Sequence, residues 1–215
     1  MTGAGPAAAL RDGVALLERA VGYALGPLQA VTPAALSRPT PCAEWDLGAL
    51  LMHMSDSLAA MHEAVGLSSV SLGPRPRVAG PGDSAAAGDP AAGLVAALRG
   101  QARQLLAGLA GQHDQLVRVG GYPLPVSIVA SAGAVDIAVH GWDVAQACGS
   151  RCAIPVELAG EILAVSRLLV TEADRPTRFG SPVPVSPQAS VGDQLVGYLG
   201  RTPAGPGPAP EALAG

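Results

Sequence analysis

The stretch SIVASAGAVDIAVHGWDVAQACG, residues 127–149, reads as one long helix that starts near Pro125 and stops at Gly149. It is too long for a strand, and its interior holds no proline. At about 100° per residue, Asp136, His140 and Asp143 (i, i+4, i+7) fall on one face. The rest of that stripe, Val129, Ala132, Gly133 and Ala147, is small or apolar. Three polar side chains therefore rise from a face built for close packing. A carboxylate buried there costs several kcal/mol, of the order of the desolvation penalty of an unpaired polar group or more, unless a cation or a metal ion neutralises it.

Helical periodicity recurs on both sides. Residues 9–25 repeat Val14, Leu17, Val21 and Leu25 at three- and four-residue steps, whereas 26–45 carries four prolines and is expected to be a long packed loop. Asp46 is placed to cap a second helix over 47–65, with Leu47, Leu50, Leu51, Met54, Leu58, Met61 and Val65 as its apolar stripe. Residues 66–90 form a Gly/Pro/Ser linker. Asp89-Pro90 then opens a third helix to about Leu109. Pro155 opens a fifth through VELAGEILAVSRLLVTEA. A Pro-rich segment with a strand-like hint at 183–185 follows, and then a short helix over 189–199. These patterns predict an all-α chain: an antiparallel four-helix bundle with an additional C-terminal helix and a Pro-rich extension. The expected division is a metal-binding bundle over 1–175, an extension packed on it over 176–202, and a disordered tail over 203–215.

Composition excludes several classes. The 215 residues are 49% hydrophobic and 14% charged, the reverse of a disordered chain. Net charge is −4 and no basic stripe is present, so nucleic acid is not an expected partner. All 13 cations are arginine and asparagine is absent, the bias of a GC-rich genome. Cys42, Cys148 and Cys152 fall in no CxxC pair and read as reduced thiols. The N-terminus lacks the pattern of a signal peptide. Apolar runs such as ILAVSRLLV are interrupted by charge, so a cytoplasmic protein without membrane spans is expected, and a homodimer is allowed.

An i, i+4 Asp/His pair suits a metal, since both donors meet above one helical turn, but the same pair can equally satisfy itself. A third donor would decide, and His53, His62 and His113 are the candidates. His113 sits in the polar GQHDQ. His62 lies at the edge of the second helix's apolar stripe, which slightly favours it, and His53 lies on a flank of small residues. Spacing alone does not choose. Asp143 reads either as an acceptor orienting a ligand imidazole or as a buried carboxylate fixing the first loop. Trp45 and Trp142 read as packing residues, and Cys42, which precedes the second helix and could approach the site, reads as a packed thiol.

TPCAEWDLGALLMHM (40–54), followed by VDIAVHGWDVAQACG (135–149), resembles the DinB/YfiT-like bundle superfamily. The closer resemblance is to the actinobacterial branch that includes the N-terminal domain of mycothiol-dependent maleylpyruvate isomerase. RFGSPVPV and LVGYLGRTP resemble that branch's C-terminal stretch. The resemblance implies a divalent metal, zinc foremost with nickel or iron as alternatives, held by His53, Asp136 and His140. It thus selects His53 over His62. The family often carries Glu where this chain has Asp136. The activity implied is metal-dependent small-molecule chemistry: activation of a low-molecular-weight thiol, mycothiol, for S-transfer or addition/isomerisation. The alternatives are a metal-dependent hydrolase or Lewis-acid enzyme, and a non-catalytic metal-binding module.

Overall fold

A cap begins each of the two helices that flank the long linker. Asp46 accepts a hydrogen bond from the Ala49 amide at 2.8 Å and starts α2, Leu47–Leu67. Asp89 Oδ1 accepts from the Ala91 amide at 2.8 Å and from the Ala92 amide at 3.2 Å, and starts α3, Pro90–Leu109. Before them lies α1, Gly13–Ala24. After them come α4, Val126–Ala147, α5, Val156–Leu169, and α6, Val191–Tyr198. The computed structural model describes residues 10, 12–42, 45–70, 89–109, 115–175 and 178–203. All of the expected disordered tail beyond Pro203 and most of the 66–90 linker lie outside these residues, as does His113.

The chain is mostly helical, but the all-α expectation is corrected by a three-stranded sheet in the order β1-β2-β3. Strand β2, Leu116–Val119, pairs antiparallel with β3, Tyr122–Pro125. Their two-residue turn is Gly120-Gly121, with φ of 55° and 89°. Positive φ at both central positions is what a tight hairpin of this twist demands, and glycine meets it without strain. Strand β1, Ser69–Val70, then adds parallel to β2, so part of the expected linker is ordered. The hint at 183–185 forms no strand; the Val183 amide instead donates to the Gly197 carbonyl. Helix α5 ends at Leu169, short of the expected end, because Thr171 and Asp174 cap a separate turn over Glu172–Asp174.

Helix α4 is the centre of the molecule: 17 of its 22 residues are buried, and it touches α1, α2 and α5. That enclosure explains its apolar sequence. By length and composition α4 would serve as a membrane span, yet 83% of the relevant window is buried within the protein. Its small residues set the spacing to its neighbours. A Cβ on Gly141 would sit 2.9 Å from Ala24 Cβ and 3.0 Å from Ala24 Cα, so α1 approaches α4 as closely as it does because Gly141 has no side chain. Gly149, at φ 70°, ends α4. Its amide donates to the Gln146 carbonyl and that of Ser150 to the Ala145 carbonyl, the paired bonds of a Schellman stop.

Candidate metal centre

Two elements bring the candidate ligands together. Asp46 fixes the start of α2, and His53 follows two turns later on the side facing α4. Asp136 and His140 stand one turn apart on α4. His53 Nε2 lies 3.3 Å and His140 Nε2 3.4 Å from the same oxygen, Asp136 Oδ1. The two rings meet edge to face at 4.9 Å between centroids. The other carboxylate oxygen, Asp136 Oδ2, is buried and has no hydrogen-bond partner among the described residues. One donor atom from each of His53, Asp136 and His140 lies within 4.8 Å of the other two. His62, the residue favoured by periodicity, is exposed.

Asp143 is fully buried and sits behind His140. Its Oδ2 is 3.0 Å from His140 Nδ1, and a carboxylate only accepts, so the hydrogen resides on Nδ1. That geometry leaves Nε2 as the edge turned towards Asp136 and His53. The charge of Asp143 is met by Arg201, whose Nη2 donates to Oδ2 at 2.9 Å and whose Nε donates to Oδ1 at 3.4 Å. Arg201 also donates from Nη1 to the Leu199 carbonyl at 2.9 Å. Asp143 thus accepts from the His140 ring on one side and from Arg201 on the other.

Electrostatics follow from this alternation of charge. Burial acts most strongly on Asp136 and pushes its carboxyl pKa up. Hydrogen bonds and charge from His140 and His53 outweigh it and hold the carboxyl well below the usual range. For His140, burial likewise opposes the charged form, but Asp136 and Asp143 together raise its pKa to about 9. Without a metal ion, the two carboxylates that flank it thus favour the protonated form of the His140 ring.

The loop before α2 brings two further groups to the site, Trp45 and Cys42. The Thr40 hydroxyl donates to carbonyls of Cys42 and Trp45, each at 3.0 Å, and accepts from the Cys42 amide. This knot turns Trp45 over the site, 4.6 Å from the His53 ring and 6.0 Å from the His140 ring. Trp45 therefore walls the centre as well as packing on the core, a role that only the paired rings reveal. The Cys42 thiol comes within 4.8 Å of donor atoms of His140 and Asp143, closer than a purely packing role requires. Burial pushes its pKa up, against the pull of Arg201. Trp142 is buried in the core as expected, and all three cysteines are free. Access is from one side: the His53 and Asp136 side chains are 35% and 33% exposed, against 8% for His140.

Comparison with known proteins agrees with the motif reading. The family described as the mycothiol maleylpyruvate isomerase N-terminal domain matches residues 5–145, which contain His53, Asp136, His140 and Asp143 but not Arg201. Two uncharacterized proteins of Mycobacterium tuberculosis, from strains CDC 1551 / Oshkosh and H37Rv, are each 32% identical over 178 residues. Those alignments cover 78% of this chain and 85% of each relative. No solved structure matches. The chain belongs to the mycothiol maleylpyruvate isomerase N-terminal domain family.

Proposed function

We propose that His53, Asp136 and His140 hold a divalent metal ion between α2 and α4, and that the site activates a low-molecular-weight thiol, mycothiol, for S-transfer or addition/isomerisation on a small electrophile. The observation that carries the metal reading is at Asp136. Two imidazole nitrogens converge on its Oδ1 while its Oδ2 lies buried without a partner, an arrangement that one cation among the three groups would complete. Two imidazoles and one carboxylate suit zinc with positions left open, and they also accept nickel or iron. When bound, such an ion acts as a Lewis acid that lowers the pKa of a coordinated thiol or water.

The chain's own groups supply the rest. Asp143 keeps the hydrogen on His140 Nδ1 and so reserves Nε2 for the site. Trp45 covers the histidine rings and excludes water from that side, while the exposed edges of His53 and Asp136 form the entrance. Family membership supports the thiol over other occupants. In the same reading, the bundle of 1–175 carries the metal and 176–202 braces it. The substrate is a small molecule, the setting is cytoplasmic, and a homodimer is compatible.

The test is metal content of the purified protein, followed by titration of the cobalt-substituted form with mycothiol. A sulfur-to-cobalt charge-transfer band is expected. Cobalt uptake without a band at saturating thiol would overturn the thiol reading and leave hydrolysis or simple metal binding. Failure to take up any divalent ion would overturn the metal centre itself.

A further inference from the structure

We infer that Arg201, supplied by the C-terminal extension, is a positioning residue of the candidate metal centre: its guanidinium fixes the Asp143 carboxylate, which in turn fixes the His140 ring. The inference rests on the metal reading above and adds a residue lying beyond the segment that matches the family.

The guanidinium and the carboxylate form a buried ion pair. Asp143 is fully buried and Arg201 is 5% exposed, so each depends on the other for compensation. The pair is two-pronged, with Nε facing Oδ1 and Nη2 facing Oδ2. Both prongs restrict rotation of the carboxylate, whereas a single ammonium would hold it at one point. The Oδ2 that Arg201 grips is the oxygen that accepts from His140 Nδ1. Carboxylate rotation is therefore coupled directly to the tilt of the imidazole and to the direction in which Nε2 points.

Local backbone structure shows how Arg201 reaches that place. Helix α6 ends in a Schellman stop: the Gly200 amide donates to the Gly197 carbonyl and the Arg201 amide to that of Val196. Gly200 has a φ of 83°, and a Cβ there would lie 2.6 Å from Gly180 Cα. The reversal turns Arg201 back from solvent towards α4. Its third hydrogen bond, to the Leu199 carbonyl, ties the guanidinium to its own helix end. The extension thereby acts on the centre without supplying a ligand.

The test compares Arg201→Met, Arg201→Lys, Asp143→Asn and the double variant Arg201→Met/Asp143→Asn. Leu195→Ala is the control, since it loosens α6 without touching the carboxylate. The first readout, in metal-free protein, is exchange of the His140 Nδ1–H proton with water by NMR. In the unaltered protein this proton is expected to be protected, and in both Arg201 variants to exchange rapidly. The second readout is zinc affinity, expected to fall about 10–100-fold in Arg201→Met, as is usual for loss of a group that orients a ligand. The double variant should be no weaker than Asp143→Asn alone, and Leu195→Ala should match the unaltered protein. Arg201→Lys keeps a charge for the buried carboxylate and serves if Arg201→Met does not fold. A folded Arg201→Lys that retains both proton protection and affinity would overturn the inference, as would additive losses in the double variant. If the unaltered protein takes up no zinc, the metal reading falls, while proton exchange still decides the role of Arg201.

Discussion

Zinc should compete with a proton on His140, and the competition has a calculable size. In the metal-free protein His140 lies between the carboxylates of Asp136 and Asp143, and its pKa is raised to about 9. A ligand nitrogen must be deprotonated to bind a metal. At about pH 7, two units below that pKa, only about one molecule in a hundred is ready, and apparent affinity is about 100-fold below its alkaline limit. Between about pH 7 and 9 affinity should therefore climb roughly tenfold per pH unit and then level off. Calorimetry in buffers of different ionisation enthalpy should register release of about one proton from this residue per zinc bound near neutral pH. Asp143→Asn removes one of the two carboxylates that raise the pKa, so the rise should move to lower pH while the alkaline limit falls. An affinity that stays flat from pH 7 to 9 in the unaltered protein, with no proton released, would show that His140 does not bind the metal through Nε2 or is not held as an imidazolium.

Other outcomes follow from the same geometry. His140→Ala should lose zinc on dialysis and Cys42→Ala should keep it, as read by metal content, since Cys42 lies near His140 and Asp143 but outside the three-donor group. Gly200→Ala forces a side chain into a left-handed position against Gly180. It should destabilise the fold by about 1–3 kcal/mol, seen as a lower urea midpoint. Gly141→Ala overpacks the α1–α4 contact and should cost a similar amount, about 1–3 kcal/mol, in the same assay. For the metal-free protein, the raised pKa of His140 contributes stability that is complete below about pH 6.5 and is lost as pH rises through about 9. The lowered pKa of Asp136 contributes stability present above about pH 4 and lost on acidification. Urea midpoints measured across pH should fall on both sides of that window; a midpoint that rises from pH 6.5 to 9 would contradict the ion pairing.

The helices were legible where local chemistry alone fixes them. Asp46, the Asp89-Pro90 pair and Gly149 act within one turn of their own positions, and each performs the cap or stop that its residue type suggests. The hairpin also carries a local signal, the adjacent glycines at 120 and 121, but its strands are only four residues each and alternate too briefly to stand out. Strand β1 has no local signal. Its two residues become a strand only because β2, arriving after α3, offers hydrogen-bonding partners.

The same boundary runs through the candidate site. Asp136 and His140 share a helix, so periodicity alone places them together. Periodicity could not choose between His53 and His62, because α2 has two neighbours. Its apolar stripe points between α3 and α4, and that average direction is not the direction of the site. His53 faces α4 from the flank, and only the motif as a whole pointed to it. Arg201 is further still from legibility, since its role depends on a turn at Gly200, a contact with Gly180 and a carboxylate on another helix. The resulting line, Arg201–Asp143–His140–Asp136–His53, alternates basic and acidic side chains and runs from interior to surface. Side-chain exposures along it are 5%, 0%, 8%, 33% and 35%. The innermost pair, Arg201 and Asp143, is buried and held by fixed partners, so it orients its neighbour without offering a free donor. At the outer end the rings of His53 and His140 converge on Asp136, whose second oxygen has no partner among the described residues. On the proposed reading a metal ion therefore belongs at the outer end, and the inner ion pair serves to aim the one imidazole that connects the two ends.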